Sequence, residues 1–348
     1  MLKLDPLTKK RFAKFRRLKR GYYSLWILTI TYVLSLGIEL FVGNRPIFVS
    51  FGGRTYFPAL NHRYYGKTLF GGSADEETDF RELAASPEFK AAGGRILLPV
   101  HPFSPLESIK IPGDPPPSKP SWSHPMGTDD RGRDVLARLL YGFRTSVSFG
   151  LVLSVLATVL GIVIGAIQGY WGGWIDISCQ RLIEIWSALP FLYVVVLVSS
   201  ILTPGFWLLV VILLVFDWIG TSRYVRGEFL RERNLDYVTA ARALGASSGR
   251  IIFSHVMGNA LSPVITLFPF TLVGSIFFLT SLDYLGFGIP APAPSWGELF
   301  EQGRGQITTG VWIILSPFSA LVSTLLLTTF IGEAMREAWD PREFYRRE

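Results

Sequence analysis

The sequence has few charged residues and a single cysteine. Charged residues make up 18% of the 348 residues, whereas average soluble domains carry about a quarter. The shortage is uneven, because long windows contain no Asp, Glu, Lys or Arg while the chain ends and one central stretch are crowded with them. A soluble protein spreads charges over its surface, so this pattern excludes that class and indicates membrane spans. With Cys179 alone, an internal disulfide is excluded as well.

Motifs for catalysis, nucleotide binding and metal binding are also lacking. The sequence has no Gly-x-x-x-x-Gly-Lys-Ser/Thr phosphate loop, so this chain is not expected to hydrolyse ATP. The four histidines lie at scattered positions without ligand spacing, and Asp129, Asp130 and Asp134 do not fit the calcium-loop pattern. The net charge of +7 would suit nucleic acid, but the arginines lie beside apolar runs. We therefore predict no catalytic residue, cofactor, metal or nucleic-acid partner.

Five apolar runs predict six crossings, because a helix needs roughly 20 residues to cross a bilayer. The runs are continuous rather than alternating, and backbone groups inside a bilayer must bond to one another, so helices are predicted. Thr203-Pro204-Gly205 predicts a turn within one run that is too long for a single crossing. The predicted spans are residues 24–42, a helix between positions 144 and 176 centred on 151–167, and residues 178–202, 206–224, 261–282 and 311–332.

The basic residues indicate which ends of these spans face the cytoplasm. With the N-terminus inside, the inner segments contain nineteen Lys and Arg, whereas the short outer loops contain only Arg304. The inner segments are 1–20, 169–178, 223–255 and 336–348, and the short outer loops are 203–206 and 284–310. Both chain ends are therefore predicted to be cytoplasmic.

This topology divides the chain into five parts. They are a basic cytoplasmic tail at 1–23, the first span at 24–42, a long outer segment at 43–143, a core at 144–335 and a second cytoplasmic tail at 336–348. The outer segment is too long for an ordinary connection and mixes aromatic–glycine clusters, an acidic patch and a proline-rich end. Two interpretations remain open for it: an irregular loop packed on the outer face, or a docking surface for a soluble partner.

The inner loop 226–259 contains a pattern typical of a short, capped helix. Asp236 is predicted to cap its beginning by accepting bonds from free N–H groups, and Gly245 to end it in the left-handed conformation. Tyr237, Ala241 and Leu244 fall on one face, as a small apolar stripe suited to a groove. A second helix is predicted to start at Ser247 or Ser248 and to carry Ile251, Ile252 and His255. A helix lying on the membrane surface remains the alternative interpretation.

Residues 237–259, YVTAARALGASSGRIIFSHVMGN, resemble the EAA loop of ABC importer permeases. In that family the loop forms a coupling helix that sits in a cleft of the cytoplasmic ATPase. The resemblance departs at Thr239, where the family often has glutamate, and at Gly258, where it usually has proline. Docking is then expected to depend on shape rather than on an ion pair. The coupling residues it implies are Tyr237, Thr239, Ala240, Ala241, Leu244 and Gly245.

Further motifs resemble the C-type dipeptide and oligopeptide permeases, which are MetI-like. They are HPMGTDDRGRDV at 124–135, GYWGGW at 169–174, LGFG at 285–288 with PSWG at 294–297, and DPR at 340–342. RLIEIWS at 181–187 and TSLD at 280–283, with the enlarged outer segment, are similar to the Yej-type subgroup, which imports the peptide-nucleotide antibiotic microcin C.

The resemblance implies an all-α integral membrane protein of the bacterial inner membrane, with an N-terminal helix added to the five-helix core of a type I ABC importer permease. It implies a function in importing peptides or peptide-like compounds, driven by ATP hydrolysis on another subunit. The implied partners are a second permease subunit of the B type, a cytoplasmic ABC ATPase, a periplasmic substrate-binding protein, a peptide substrate and the lipid bilayer.

The predicted spans contain one central carboxylate and one regular spacing of glycines. Asp217 lies near the middle of the fourth span, where an ionisable group is costly. It is a candidate for the translocation path, or else a structural aspartate satisfied by neighbouring groups. A secondary, ion-coupled transporter is the alternative function, with Asp217 as its central carboxylate. The Gly-x-x-x-Gly spacing of Gly161, Gly165 and Gly169 predicts close packing of another helix.

Overall fold

The computed structural model describes residues 6–61, 63–72, 76–111 and 113–340. The helices are α1 Pro6–Arg17, α2 Lys19–Leu36, α3 Phe80–Ala85, α4 Pro87–Ala91, α5 Val135–Trp171, α6 Gly173–Ser187, α7 Phe191–Ile201, α8 Phe206–Glu232, α9 Asp236–Ala243, α10 Ser248–Arg250, α11 Met257–Tyr284, α12 Trp296–Gly305 and α13 Val311–Trp339. A π-helical stretch, Ile251–Val256, joins α10 to α11. The strands are β1 Phe48–Phe51, β2 Arg54–Tyr56 and β3 Arg95–Leu97.

Four helical stretches in the described part of the chain are long and apolar enough to cross a membrane. They are α5, α8, the continuous stretch Ser248–Tyr284 and α13, and they coincide with four of the predicted spans. The pair α6–α7 makes a fifth if it counts as one span. At the first predicted span, 24–42, α2 ends at Leu36 and a separate 3₁₀ turn, Ile38–Leu40, follows. A single helix over 24–42 is therefore wrong, and a crossing by α2 stays a prediction.

The third predicted span, 178–202, is not one helix. It is broken after Ser187, and α6 and α7 are bent by 72° at the break. Pro190 stands immediately before α7 in an extended conformation. Proline has no N–H to donate and disfavours a helical residue before it, so the helix cannot continue through Leu189. The predicted turn at residues 203–205 is confirmed, because α7 ends at Ile201 and α8 begins at Phe206.

The chain forms two compact units, and the first consists of Met1–Thr29, Ser146–Pro290 and Val322–Glu348. Within it, α5 packs closely on α8 through the predicted glycine spacing. A Cβ atom on Gly161 would lie 2.6 Å from Thr221 Cβ, one on Gly165 would lie 2.5 Å from the Ser222 carbonyl oxygen, and one on Gly169 would lie 2.4 Å from Phe229 Cβ. The predicted close packing is confirmed, with α8 as the partner helix.

We expect Gly165→Ala to destabilise the protein and Gly220→Ala not to. At Gly165 the new methyl group meets backbone of α8, which cannot move aside as a side chain can, so the cost is about 1–3 kcal/mol. At Gly220, also helical, no described residue outside the same turn of helix lies within 4 Å of the new Cβ, so alanine is neutral or stabilises by up to about 1 kcal/mol. Thermal unfolding of the two purified variants measures the difference, and equal midpoints would contradict the packing.

The second unit consists of Ile30–Thr145 and Ala291–Leu321, and it contains strands, so the chain is mostly helical rather than all-α. A three-stranded antiparallel sheet forms in the order β2-β1-β3. An aromatic cluster packs with the sheet, and Phe51 stacks on Phe89 with ring centroids 5.4 Å apart. The buried residues of the cluster are Val49, Tyr65, Phe70, Phe80 and Phe89. Burial of these aromatic side chains gives the segment its own core.

Buried ion pairs lie at the start of α5 within the second unit. Arg133 Nε donates to Asp129 Oδ2 at 2.7 Å, and its Nη2 donates to Glu298 Oε1 at 3.0 Å. Arg138, fully buried, bonds the other oxygen of Glu298 and donates to the Pro105 carbonyl oxygen at 2.9 Å. This network joins the loop before α5 to α12, which lies far along the sequence.

Asp134 caps α5. Its Oδ1 accepts the Ala137 N–H at 2.8 Å, and its Oδ2 lies 2.8 Å from His124 Nδ1. Burial alone would raise the pKa of Asp134, but hydrogen bonds from His101, the Ala137 backbone and His124 outweigh it and lower that pKa. The carboxylate of Asp129 accepts bonds from the backbone N–H groups of Arg131 and Arg133 and from Arg133 Nε.

Candidate functional site

The helix α9 and the turn after it form the candidate site. The predicted helix is present, but Leu235 rather than Asp236 precedes it, and Leu235 provides no side-chain cap. Asp236 is the first helical residue, where its negative charge favours the positive end of the helix dipole. The prediction for Gly245 is confirmed: its φ is +82°. Its N–H bonds the Arg242 carbonyl oxygen, and the Ala246 N–H bonds that of Ala241, each at 3.0 Å, which is the Schellman pattern.

One apolar side chain fixes α9 to the rest of the first unit. Val238 is completely buried, although the apolar face predicted from the sequence was that of Tyr237, Ala241 and Leu244. Val238 belongs to a buried cluster that joins α5, α8, the π-helical stretch and α11. The other members are Ala166, Tyr170, Val225, Phe229, Ile251, Ile252, Val256, Ala260 and Val264. Val238 is the one aliphatic side chain larger than alanine within α9, and this is the sequence signal that could have identified it.

A polar clamp holds α9 beside the same helices. The Tyr237 hydroxyl donates to the carboxylate of Glu232 at the end of α8. Asn259, at the start of α11, donates from Nδ2 to Glu232 Oε2 at 3.2 Å and to the Tyr237 hydroxyl oxygen at 3.3 Å. Partial burial and the bond to Glu232 raise the pKa of Tyr237. We name Glu232, Tyr237 and Asn259 the clamp. Glu232 and Asn259 were not predicted from the sequence, because Glu232 lies five positions before Tyr237 on a different helix and Asn259 lies 22 positions after it.

Most of the predicted coupling residues lie on the surface. Thr239, Ala240, Leu244 and Gly245 are exposed, and Ala241 is partly exposed. Leu244 is 88% exposed, a large fraction for a leucine that ends a helix. We name these five residues the α9 surface. Tyr237 is different, since its hydroxyl is occupied in the clamp. The α9 surface is therefore apolar and has mostly small side chains, and Val238 and the clamp hold it in place.

The helices beneath the α9 surface are also tied to each other by charged side chains. Arg226 on α8 binds Asp176 on α6 through two bonds, Nε to Oδ1 at 2.5 Å and Nη2 to Oδ2 at 2.7 Å. Arg233 donates from Nη1 to the carbonyl oxygens of Gly169 and Tyr170, each at 3.2 Å. These bonds connect the end of α8 to α5 and α6. A displacement of α9 would therefore act on several helices together.

Asp217 lies on α8, distant in sequence from the α9 surface. It is within hydrogen-bonding reach of Ser275 on α11, whose hydroxyl is 3.1 Å from that of Ser154 on α5. Oδ2 of Asp217 is buried and has no hydrogen-bond partner among the described residues. Oδ2 of Asp217 can therefore still accept a hydrogen bond. The geometry allows Asp217 to act only as a structural partner of Ser275, or to bind a cationic group that passes along the helices.

Comparison with known proteins gives consistent matches. Residues 161–345 match the family described as binding-protein-dependent transport system inner membrane component. The chain is 42% identical over 343 residues to the inner membrane ABC transporter permease protein YejE of Escherichia coli (strain K12), covering 99% of both chains. It is 40% identical over 366 residues to the peptidoglycan transport system permease protein YejE of Agrobacterium fabrum (strain C58), covering 98% of this chain and 95% of that one. It is also 34% identical over 229 residues to the oligopeptide transport system permease protein OppC of Bacillus subtilis (strain 168), covering 66% and 74%.

Proposed function

This chain belongs to the family of binding-protein-dependent transport system inner membrane components, and on that premise we propose that it is the permease subunit of an ABC importer for peptides or peptide-like compounds. ATP is hydrolysed on a partner subunit. The matched range, 161–345, contains the α9 surface, and this placement is the observation that carries the proposal. Family membership sets aside the ion-coupled transporter that Asp217 alone left open. Import of microcin C stays a prediction.

The proposed topology places both chain ends in the cytoplasm and counts six crossings. The excess of Lys and Arg in the proposed inner segments supports this orientation. The crossings would be α2, α5, the bent pair α6–α7, α8, the stretch Ser248–Tyr284 and α13. In this topology α9 faces the cytoplasm, where an ATPase subunit is available.

In the proposed mechanism, the α9 surface sits in a cleft of the ATPase and moves with it. Thr239 supplies no carboxylate, so binding depends on close approach of Ala240 and Gly245 and on the apolar Leu244. Val238 and the clamp then pass the displacement to α8 and α11. Since both helices belong to the same packed cluster, they shift together and open the path alternately to each side of the membrane.

Segment 43–143 is proposed to receive the external binding protein. Its support is the folded core of the second unit, since a segment with its own sheet and aromatic cluster presents a fixed surface rather than a mobile loop. The second permease subunit completes the pathway. These partner assignments follow from the family and from the topology proposed above.

Cysteine crosslinking tests the proposed function. The native Cys179 is replaced by serine, and a cysteine is placed at exposed Thr239 or, as the matched control, at exposed Ser123 in segment 43–143. In native membranes, a crosslinker is expected to join Thr239→Cys to an ATPase subunit and to leave Ser123→Cys without one. Failure of Thr239→Cys to capture any ATPase, with the protein present in the membrane, would refute the proposal.

Asp217→Asn is expected to leave assembly with the ATPase intact and to lower peptide uptake by about tenfold, the size of one lost charge-assisted hydrogen bond. The change keeps the shape of the side chain and removes the negative charge that a peptide amino terminus would meet. Ser154→Ala, which removes a hydroxyl from the same group of side chains and keeps the charge, is the control. Uptake is measured with the complete transporter in vesicles. Normal uptake of every peptide tested would make Asp217 structural.

A further inference from the structure

The helix α1 and the start of α2 are strongly basic. Between positions 9 and 20 the chain has eight Lys and Arg and no Asp or Glu. Six of the eight are exposed and make no ion pair with any described residue: Lys9, Lys10, Arg16, Arg17, Lys19 and Arg20. Like charges this close repel one another, so the segment is destabilised unless anions gather around it.

Contacts within the first unit fix α1 on other helices. Phe15 is buried in a cluster with Ala334 and Ala338 of α13. The ring of Phe12 meets the ring of Trp339 edge-on, with centroids 5.7 Å apart. Lys14 Nζ donates to the Glu337 carbonyl oxygen at 2.6 Å. The helix therefore has a defined orientation despite its charge.

This orientation separates the cations by face. At 100° per residue, Lys9, Lys10, Arg16 and Arg17 lie about 100° to 160° from Phe15 around the axis of α1. We name these four residues the cationic face. Arg11, about 40° from Phe15 by the same angle per residue, is half-buried and bonds to Ser262 on α11 at 3.5 Å. Lys14 is also half-buried and bonds to the Glu337 carbonyl oxygen. The protein thus uses two of the cations internally and leaves the cationic face free of ion pairs among the described residues.

Aromatic residues at the start of α2 indicate that this segment lies at the headgroup level of the bilayer. Tyr22 contacts the rings of both Tyr23 and Trp26, and the latter two are 59% and 50% exposed. Tyr and Trp prefer the headgroup level of a bilayer. Phe12, 54% exposed on α1, adds an apolar group at the edge of the cationic face. A basic helix with an exposed aromatic residue, next to such a belt, has the composition of an interfacial helix.

We propose that the cationic face binds the headgroups of anionic phospholipids in the inner leaflet and so holds α1 against α11 and α13. This rests on the orientation given under the proposed function. An anionic leaflet attracts each nearby Lys or Arg with roughly fivefold gain in binding. Because α11 also carries Asn259 of the clamp, lipid binding at α1 supports the helix that receives the motion of α9. Anionic lipid is therefore expected to raise ATP hydrolysis by the assembled transporter.

The test compares two variants with the same change in charge. One replaces the cationic face: Lys9→Gln, Lys10→Gln, Arg16→Gln and Arg17→Gln. The control replaces four exposed basic residues of the second unit: Arg54→Gln, Arg63→Gln, Lys90→Gln and Arg95→Gln. Each complete transporter is placed in bilayers of phosphatidylcholine alone or with phosphatidylglycerol. ATP hydrolysis is measured there, and retained phosphatidylglycerol is counted by native mass spectrometry after extraction.

The wild type and the control are expected to retain phosphatidylglycerol and to hydrolyse ATP faster in its presence. The cationic-face variant is expected to lose about tenfold or more of its preference for the anionic lipid, and added salt should weaken the wild-type preference. Undiminished preference in that variant, or equal loss in the control, would overturn the proposal. The proposal would also be overturned if the cationic-face variant lost the ATPase subunit but retained as much lipid as the wild type, because the cationic face would then be a protein interface. Lipid retention without any co-purified ATPase would instead refute the proposed coupling and leave lipid binding supported.

Discussion

Gly245→Val is expected to abolish substrate uptake and substrate-stimulated ATP hydrolysis while leaving the protein in the membrane. Gly245 has a φ of +82°, a conformation that costs other residues roughly 1–2 kcal/mol and β-branched ones more. Apart from its two chain neighbours, no described residue lies within 4 Å of the position of a new Cβ. The fold is therefore expected to survive, whereas the turn that ends α9 loses its shape and the new side chain stands on the proposed ATPase contact.

Two further variants separate these causes. Gly245→Asn adds a side chain that tolerates the left-handed conformation. Loss of uptake in this variant would indicate that the ATPase needs a residue without a side chain at this position. Normal uptake would indicate that only the geometry of the turn matters. Gly227→Val places the same side chain on an exposed helical glycine of α8 that also has open space, and it should retain uptake. Uptake and ATP hydrolysis are measured in vesicles with the complete transporter. Normal uptake by Gly245→Val would refute the role of the turn in coupling.

Arg138→Met is expected to destabilise the second unit by about 3–5 kcal/mol, the usual cost of removing one partner of a buried ion pair. Arg138 is fully buried, bonds Glu298, and donates to the carbonyl oxygens of Pro105 and Pro292 at 2.9 Å and 3.4 Å. Methionine fills much of the same volume but removes the donor to Glu298 Oε2 and to both carbonyl oxygens, while Glu298 Oε1 keeps its bond from Arg133. The lost interactions join three separate stretches of sequence, so the whole unit should be affected.

Arg131→Met is the matched control for this change. Its side chain is 55% exposed and lies 3.8 Å from Glu298, so its loss should cost less than about 1 kcal/mol. Thermal unfolding of the two purified variants, followed by a probe in the second unit such as limited proteolysis of segment 43–143, measures the difference. Should Arg138→Met unfold at the temperature of Arg131→Met, the buried network would contribute no net stability.

The lipid dependence inferred for α1 and the proposed coupling at α9 act on the same helix, α11. Arg11 contacts Ser262, and the clamp residue of α11 is Asn259, so the two contacts lie three positions apart on that helix. A transporter that responds to both would couple nucleotide hydrolysis most strongly in a membrane with anionic lipid. The cationic-face and Gly245 variants are therefore expected to differ: the first retains uptake that no longer depends on lipid, and the second loses uptake in every lipid.

Predictions from local patterns agreed with the structure where a few neighbouring residues decide the outcome. The left-handed Gly245, the turn at 203–205 and the start of the second inner helix after Ser247 are of this kind. The cap predicted for α9 was wrong, because Asp236 suits a helix start by residue type whereas the backbone geometry makes Leu235 the residue before the helix.

The sequence by itself determined the class of protein, four of the spans and the existence of α9, because long apolar runs and glycine geometry act through residues close in the chain. Only the tertiary structure decided what Val238 packs against, what Asp217 approaches and how segment 43–143 folds. Val238 faces a cluster drawn from α5, α8 and α11, and the strand β1 pairs with β3 from far along the segment. Such contacts form between residues that are far apart in the sequence. The apolar periodicity of a segment indicates which face is buried, but it is the same whichever element packs against that face.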